Sequence, residues 1–125
     1  CGSLFTHIVE QSAGNLLTFF YEHLSEQGIC IFTTHGDNSI NLIESKKYTY
    51  GLTEGTQHTL LNQYNKNGYG FANYGIEHCY GISVVIEQRI NELASVVGNW
   101  KQVMFKQRGW DNHQDVYAFE KPEIK

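Results

Sequence analysis

Leu16, Leu17, Phe20, Tyr21 and Leu24 recur three and four residues apart, the spacing of a helix with one buried face. Ser12 is its predicted N-cap and Gly28 its stop. Ahead of it, residues 4–10 predict a short strand. Residues 29–33, apolar and β-branched, predict a buried strand. Asp37, Asn38 and Ser39 then offer caps for a short helix that buries Ile40, Leu42 and Ile43 and turns Glu44, Lys46 and Lys47 outward. Gly51 ends that region, and residues 53–64 predict a further helical turn or two.

Residues 65–75 change character, mixing Asn and Gly with Tyr69, Phe71 and Tyr74. That turn chemistry predicts a loop. Residues 82–86 fit a strand by β-branched density and a helix by their apolar stripe; a strand to about Glu87 followed by a short helix is the expectation. Residues 100–107 are similarly ambiguous, with Arg108-Gly109 as a stop. Residues 115–120 alternate Val116 and Ala118 against Tyr117 and Phe119, predicting a last strand. No repeat, low-complexity tract or linker interrupts the pattern, so residues 1–125 read as one domain. The fold class expected is α+β, with a split, mainly antiparallel sheet and an N-terminal helix packed against it.

Composition narrows the function classes. Hydrophobic residues make up 41% and charged residues 18% of the 125, a globular balance. The formal net charge of −4 lacks the basic footprint of a strong nucleic-acid binder. No apolar run approaches the roughly 18 residues of a membrane span, and no membrane partner is expected. Of the cysteines, Cys30 reads as a small core hydrophobe. Cys1-Gly2-Ser3 reads as a cleavage or cloning remnant; as a true terminus, Cys1 would open a lipidated start or an N-terminal nucleophile. No cysteine or histidine pair has metal-ligand spacing, so no metal is expected.

Three constellations carry candidate chemistry. His35 follows the predicted strand and precedes Gly36, which lets its imidazole enter a cleft at the sheet edge. His7, His23 and His58 read as solvated residues on surfaces. Glu77-His78-Cys79-Tyr80 sets a cysteine beside a histidine, so Cys79, with His113 downstream, is a candidate hydrolase nucleophile. The third is the ending Arg108-Gly109-Trp110-Asp111, which leads to Asp115 and the last strand.

In order, His35-Gly36, the helix running to Gly51-Leu52, Gly70-Phe71-Ala72, Tyr80-Gly81-Ile82 and Asp115 resemble the ADP-ribosyltransferase superfamily in its diphtheria-toxin and poly-ADP-ribose-polymerase-like branch. The resemblance spans roughly residues 29–125. Asp37 stands where the family commonly has Thr or Ser, and Asp115 where it has Glu. The resemblance implies an NAD-dependent ADP-ribosyltransferase or NAD glycohydrolase of the toxin or effector type, with NAD between the sheet halves. His35 and Asp115 would be catalytic; His35, Gly36, Phe71, Tyr74 and Tyr80 would hold the dinucleotide. The acceptor would be a macromolecule or water. Such a protein would be secreted or delivered into a target-cell cytoplasm, and otherwise cytoplasmic. The competing class is a non-enzymatic binding domain, either a PAS-like sensor or a toxin-immunity protein whose acidic charge suits a basic partner.

Overall fold

The computed structural model describes residues 1–75 and 80–123. It is an α+β fold built on two antiparallel sheets. One sheet has the order β1-β5-β4, formed by Ile29–Thr34, Gln114–Glu120 and Lys101–Trp110. The other pairs β2 (Tyr69–Asn73) with β3 (Gly81–Val85). Helices α1 (Glu10–His23), α2 (Asp37–Glu44), α3 (Glu54–Asn67) and α4 (Glu87–Val97) complete the chain.

Two cores form, and Tyr69 of β2 and Val85 of β3 join the one on the larger sheet. Ala13 and Leu17 of α1 and Ile90 and Ala94 of α4 pack with Phe32, Tyr117 and Phe119 of the larger sheet. The Phe32 ring lies nearly parallel to Tyr117, at 5.3 Å. Ile40 and Ile43 of α2 and Leu60 and Tyr64 of α3 pack with Ala72, Ile82 and Val84 of the smaller sheet. Cys30 lies within the first core, where burial pushes its thiol upward. The sheets meet where the Val85 amide donates to the His35 carbonyl at 3.0 Å, just beyond the end of β1.

Several predicted elements are corrected. Residues 4–10 form no strand: a 3-10 turn at Phe5–His7 leads into α1, and Phe5 is buried against Phe32. Helix α1 begins ahead of Ser12, with Val9 at its N-cap, and ends at His23, short of Gly28. Strand β1 buries one face over its first half, where Ile29 and Ile31 are exposed, and both faces at Thr33 and Thr34. Helix α3 runs 14 residues from a Thr53 cap whose Oγ1 accepts from the Thr56 amide at 3.2 Å. The predicted loop over 65–75 is instead the end of α3 followed by β2. Gly70 is needed there for a close crossing: a Cβ would collide with the Leu60 carbonyl. The Arg108-Gly109 stop is also crossed, because β4 continues to Trp110. The strand-then-helix expectation for residues 82–97 matches β3 and α4.

Candidate functional site

His35 lies immediately after β1 and is 4% exposed. Its Nδ1 sits 3.3 Å from the Ser83 carbonyl, which can only accept, so Nδ1 carries the proton and Nε2 is left as an acceptor. Burial, reinforced by His113, lowers its pKa to about 4. At neutral pH the ring is uncharged.

This imidazole lines an open cleft of about 520 Å³ together with His7, Tyr48, Tyr50, Tyr74, His113 and neighbouring residues. Turns from distant parts of the chain bring these groups together. Tyr50 comes from the segment after α2, and its φ is 56°. A left-handed conformation is costly for a bulky side chain, on the order of 1–2 kcal/mol, and persists where surrounding contacts over-determine it. Here they do. The Tyr50 hydroxyl lies 2.7 Å from Ser39 Oγ and 2.8 Å from His113 Nε2. Burial pushes its pKa up to about 12.

The proton order along this chain follows from its ends. Asn38 Nδ2 is a donor lying 3.3 Å from His113 Nδ1. His113 Nδ1 therefore accepts, its Nε2–H donates to Tyr50, and Tyr50 donates to Ser39. His113 reaches the cleft from the β4–β5 turn, where Asp111 and Asn112 both have positive φ, 54° and 51°, and where the His113 amide donates to the Trp110 carbonyl at 3.0 Å.

Aromatic rings form the rim. Tyr74 and Tyr80 have ring centroids 5.2 Å apart, and Tyr80 stacks on His7 at 5.4 Å. His7 Nδ1 is fixed by the Gly81 carbonyl at 2.8 Å. His7 is thus a half-buried wall of the cleft and not the solvated surface residue expected, whereas His23 and His58 are exposed.

The candidate residues from the sequence separate. His35 and Tyr74 share the cleft, and Tyr80 joins its rim through His7 and Tyr74. Phe71 is absent from the described lining; it sits in β2 opposite Ser83, its amide donating to Gln63 Oε1 at 2.8 Å. Asp115 does not face the cleft. It pairs with Thr34 across the β1–β5 ladder and lines a separate cavity with Asp37, Val85, Glu87 and Phe105. Gly36 packs against its carboxylate so closely that a Cβ there would collide with it. Burial raises the Asp115 pKa, the Arg108 amide opposes this, and Asp37 and Glu87 add to the rise.

The Cys79 reading lies outside the described residues, and its partner His113 is engaged with Tyr50. Cys1 is exposed, and its ammonium donates to the Ile31 carbonyl at 2.8 Å. Among the described residues no group of three or more His, Cys, Asp or Glu is placed to hold a metal ion. Nor is any helix long and apolar enough to cross a membrane. Tyr50 and His113 as a coupled pair were not visible in sequence; the Asp111-Asn112 turn was the nearest signal. Compared with models of protein families, with curated proteins and with solved structures, the chain matches none.

Proposed function

We propose that the aromatic cleft binds NAD through its nicotinamide-ribose half. The observation that carries this is a neutral, buried His35 on the same cleft as Tyr50, held in a left-handed conformation by His113 and Ser39. A bare imidazole nitrogen suits a ribose hydroxyl donor, and the Tyr74–Tyr80 rim suits a flat heteroaromatic ring, where stacking adds about 0.5–1.5 kcal/mol beyond burial. Further support is the motif order that resembles ADP-ribosyltransferases and the split of the sheets beside His35.

ADP-ribosyl transfer is the stronger form of this proposal. It needs a carboxylate to stabilise charge developing at the ribose anomeric carbon. With Asp115 turned into the neighbouring cavity, binding without rapid nicotinamide release is the expected behaviour. Calorimetric titration with NAD, run beside an assay for free nicotinamide, tests both levels. His35→Ala should weaken NAD binding at least about tenfold, equivalent to about 1.4 kcal/mol. Absence of saturable NAD binding would end the proposal. Nicotinamide release that disappears in Asp115→Asn would promote it to catalysis.

A second reading has its own observation. Tyr48, Tyr74 and Tyr80 are 55%, 40% and 49% exposed around the cleft mouth. Exposed tyrosines anchor protein interfaces, which fits an immunity-type binding domain. Substituting Tyr48 and Tyr80 by Ala would abolish capture of a basic protein partner, whereas His35→Ala, a change at a buried position, would leave that capture intact.

A further inference from the structure

The cavity on the other side of Gly36 is a distinct site. It opens between the two sheets, with a volume of about 150 Å³, room for on the order of five water molecules. Asp115, 4% exposed, forms its floor. Asp37 at the start of α2 and Glu87 at the start of α4, both exposed, flank it. None of the described lining residues is basic.

Nearby cations are committed elsewhere. Arg108 offers Asp115 only its backbone amide, at 2.9 Å, while its Nε donates to the Asn112 carbonyl. Arg89 pairs with Glu10 and Glu92. Asp115 is thus a buried carboxylate without a charged partner among the described residues, an arrangement that costs several kcal/mol unless it is neutralised or paired.

A second observation points at a ligand. Tyr117 is fully buried and its hydroxyl has no hydrogen-bond partner among the described residues; the same holds for Thr34 Oγ1 at 1% exposure. Thr34 is directly opposite Asp115, and Tyr117 lies two residues along the same strand, so all three side chains share one face of the sheet. The Tyr117 ring packs at 4.9 Å on Phe105, a wall of the cavity. Its hydroxyl pKa is raised by burial first, then by Asp115 and Glu87, while the neighbouring Thr34 hydroxyl opposes this without closing a hydrogen bond of good geometry.

We propose that this inter-sheet cavity binds the primary ammonium end of a small amine. Asp115 is the carboxylate left to meet it, because Asp37 accepts from the Tyr64 hydroxyl and Glu87 from Gln102 Nε2. Asp115 also shares one face of the sheet with the Thr34 and Tyr117 hydroxyls. A compact ammonium with three rotatable donors suits that arrangement better than the coplanar fork of a guanidinium. Asp115 takes the charge, and the orphan hydroxyls of Tyr117 and Thr34 accept. The groups facing Asp115 are Asp37, Glu87, Tyr64 and Tyr117, with no described basic side chain among them. Binding therefore favours the ionised carboxylate, and affinity falls as the medium is acidified through its titration.

The test is a calorimetric titration with propylammonium chloride at fixed ionic strength, with methylguanidinium and potassium chlorides as parallel probes. One saturable propylammonium site is expected, at least tenfold weaker in Asp115→Asn and weaker below pH 5 than at pH 7. Tyr117→Phe should raise the melting temperature, since it removes an unpartnered buried hydroxyl, while lowering propylammonium affinity. That variant carries the test if Asp115→Asn fails to fold. No saturable binding, equal affinity for the guanidinium or potassium probe, or affinity unchanged in Tyr117→Phe would each overturn the proposal.

Discussion

At the residue scale the cleft depends on keeping His35 uncharged. Its folded pKa of about 4 lies below the ordinary 6.5, so the unfolded chain takes up the proton first on acidification. Stability is therefore unaffected above about pH 6.5 and declines as pH falls toward 4, where the loss from this residue levels off at about 3 kcal/mol. Asp115 works in the opposite sense: its raised pKa returns some stability once the carboxyl is protonated. Urea denaturation of wild type and His35→Gln across pH 4–7 separates the two, since the Gln variant should lose most of the slope. Tyr50→Phe removes the link between His113 and Ser39 and should cost about 1 kcal/mol in the same assay. None of this coupling is legible in sequence. His35 itself is, because a histidine directly after a β-branched strand lands at a sheet end. Its partners Tyr50 and His113 come from turns whose positive φ values are fixed only by the folded contacts.

At the element scale, periodic segments were readable and turn-like composition misled. Helix α1 and the helix over 87–97 followed their apolar stripes. The Asn- and Gly-rich stretch that holds β2 looked like a loop because Gly68, Gly70 and Gly75 carry turn chemistry. Gly70 instead allows close backbone approach to Leu60 in α3, as Gly81 of β3 does to Ala72 in β2. Gly70→Ala should therefore force α3 and β2 apart and cost more than about 2 kcal/mol, measurable by thermal unfolding. Strand β4 escaped recognition for a different reason. Its burial is mostly shallow along all ten residues, so no alternation marks it, and its pairing to β5 shifts register twice. The β4–β5 turn is the element that delivers His113. Asn112→Ala in its left-handed position should cost about 1 kcal/mol and also weaken any ligand that relies on the Tyr50–His113 pair.

At the scale of the whole molecule, two small cores share one seam, and both candidate sites border it. The aromatic cleft lies on the His35 side, the acidic cavity on the Asp115 side, and Gly36 separates them with no room for a side chain. The residues expected to act together are close along the fold yet face opposite ways, because adjacent positions on paired strands alternate between faces. A sequence records spacing and not facing once the register of β1 against β5 is unknown. The α+β class and the antiparallel sheets were accessible from the pattern; the separation of His35 from Asp115 was not. Charge at this scale is unfavourable to polyanion coating, and a dinucleotide would be held by stacking and hydroxyl contacts more than by phosphate pairing.

The most direct measurement is histidine imidazole ¹⁵N NMR during titration with NAD. A neutral His35 protonated on Nδ1 is expected before addition, with saturable shifts of the His35 and His113 resonances as NAD fills the cleft. Unmoved His35 and His113 resonances at millimolar NAD would contradict the account.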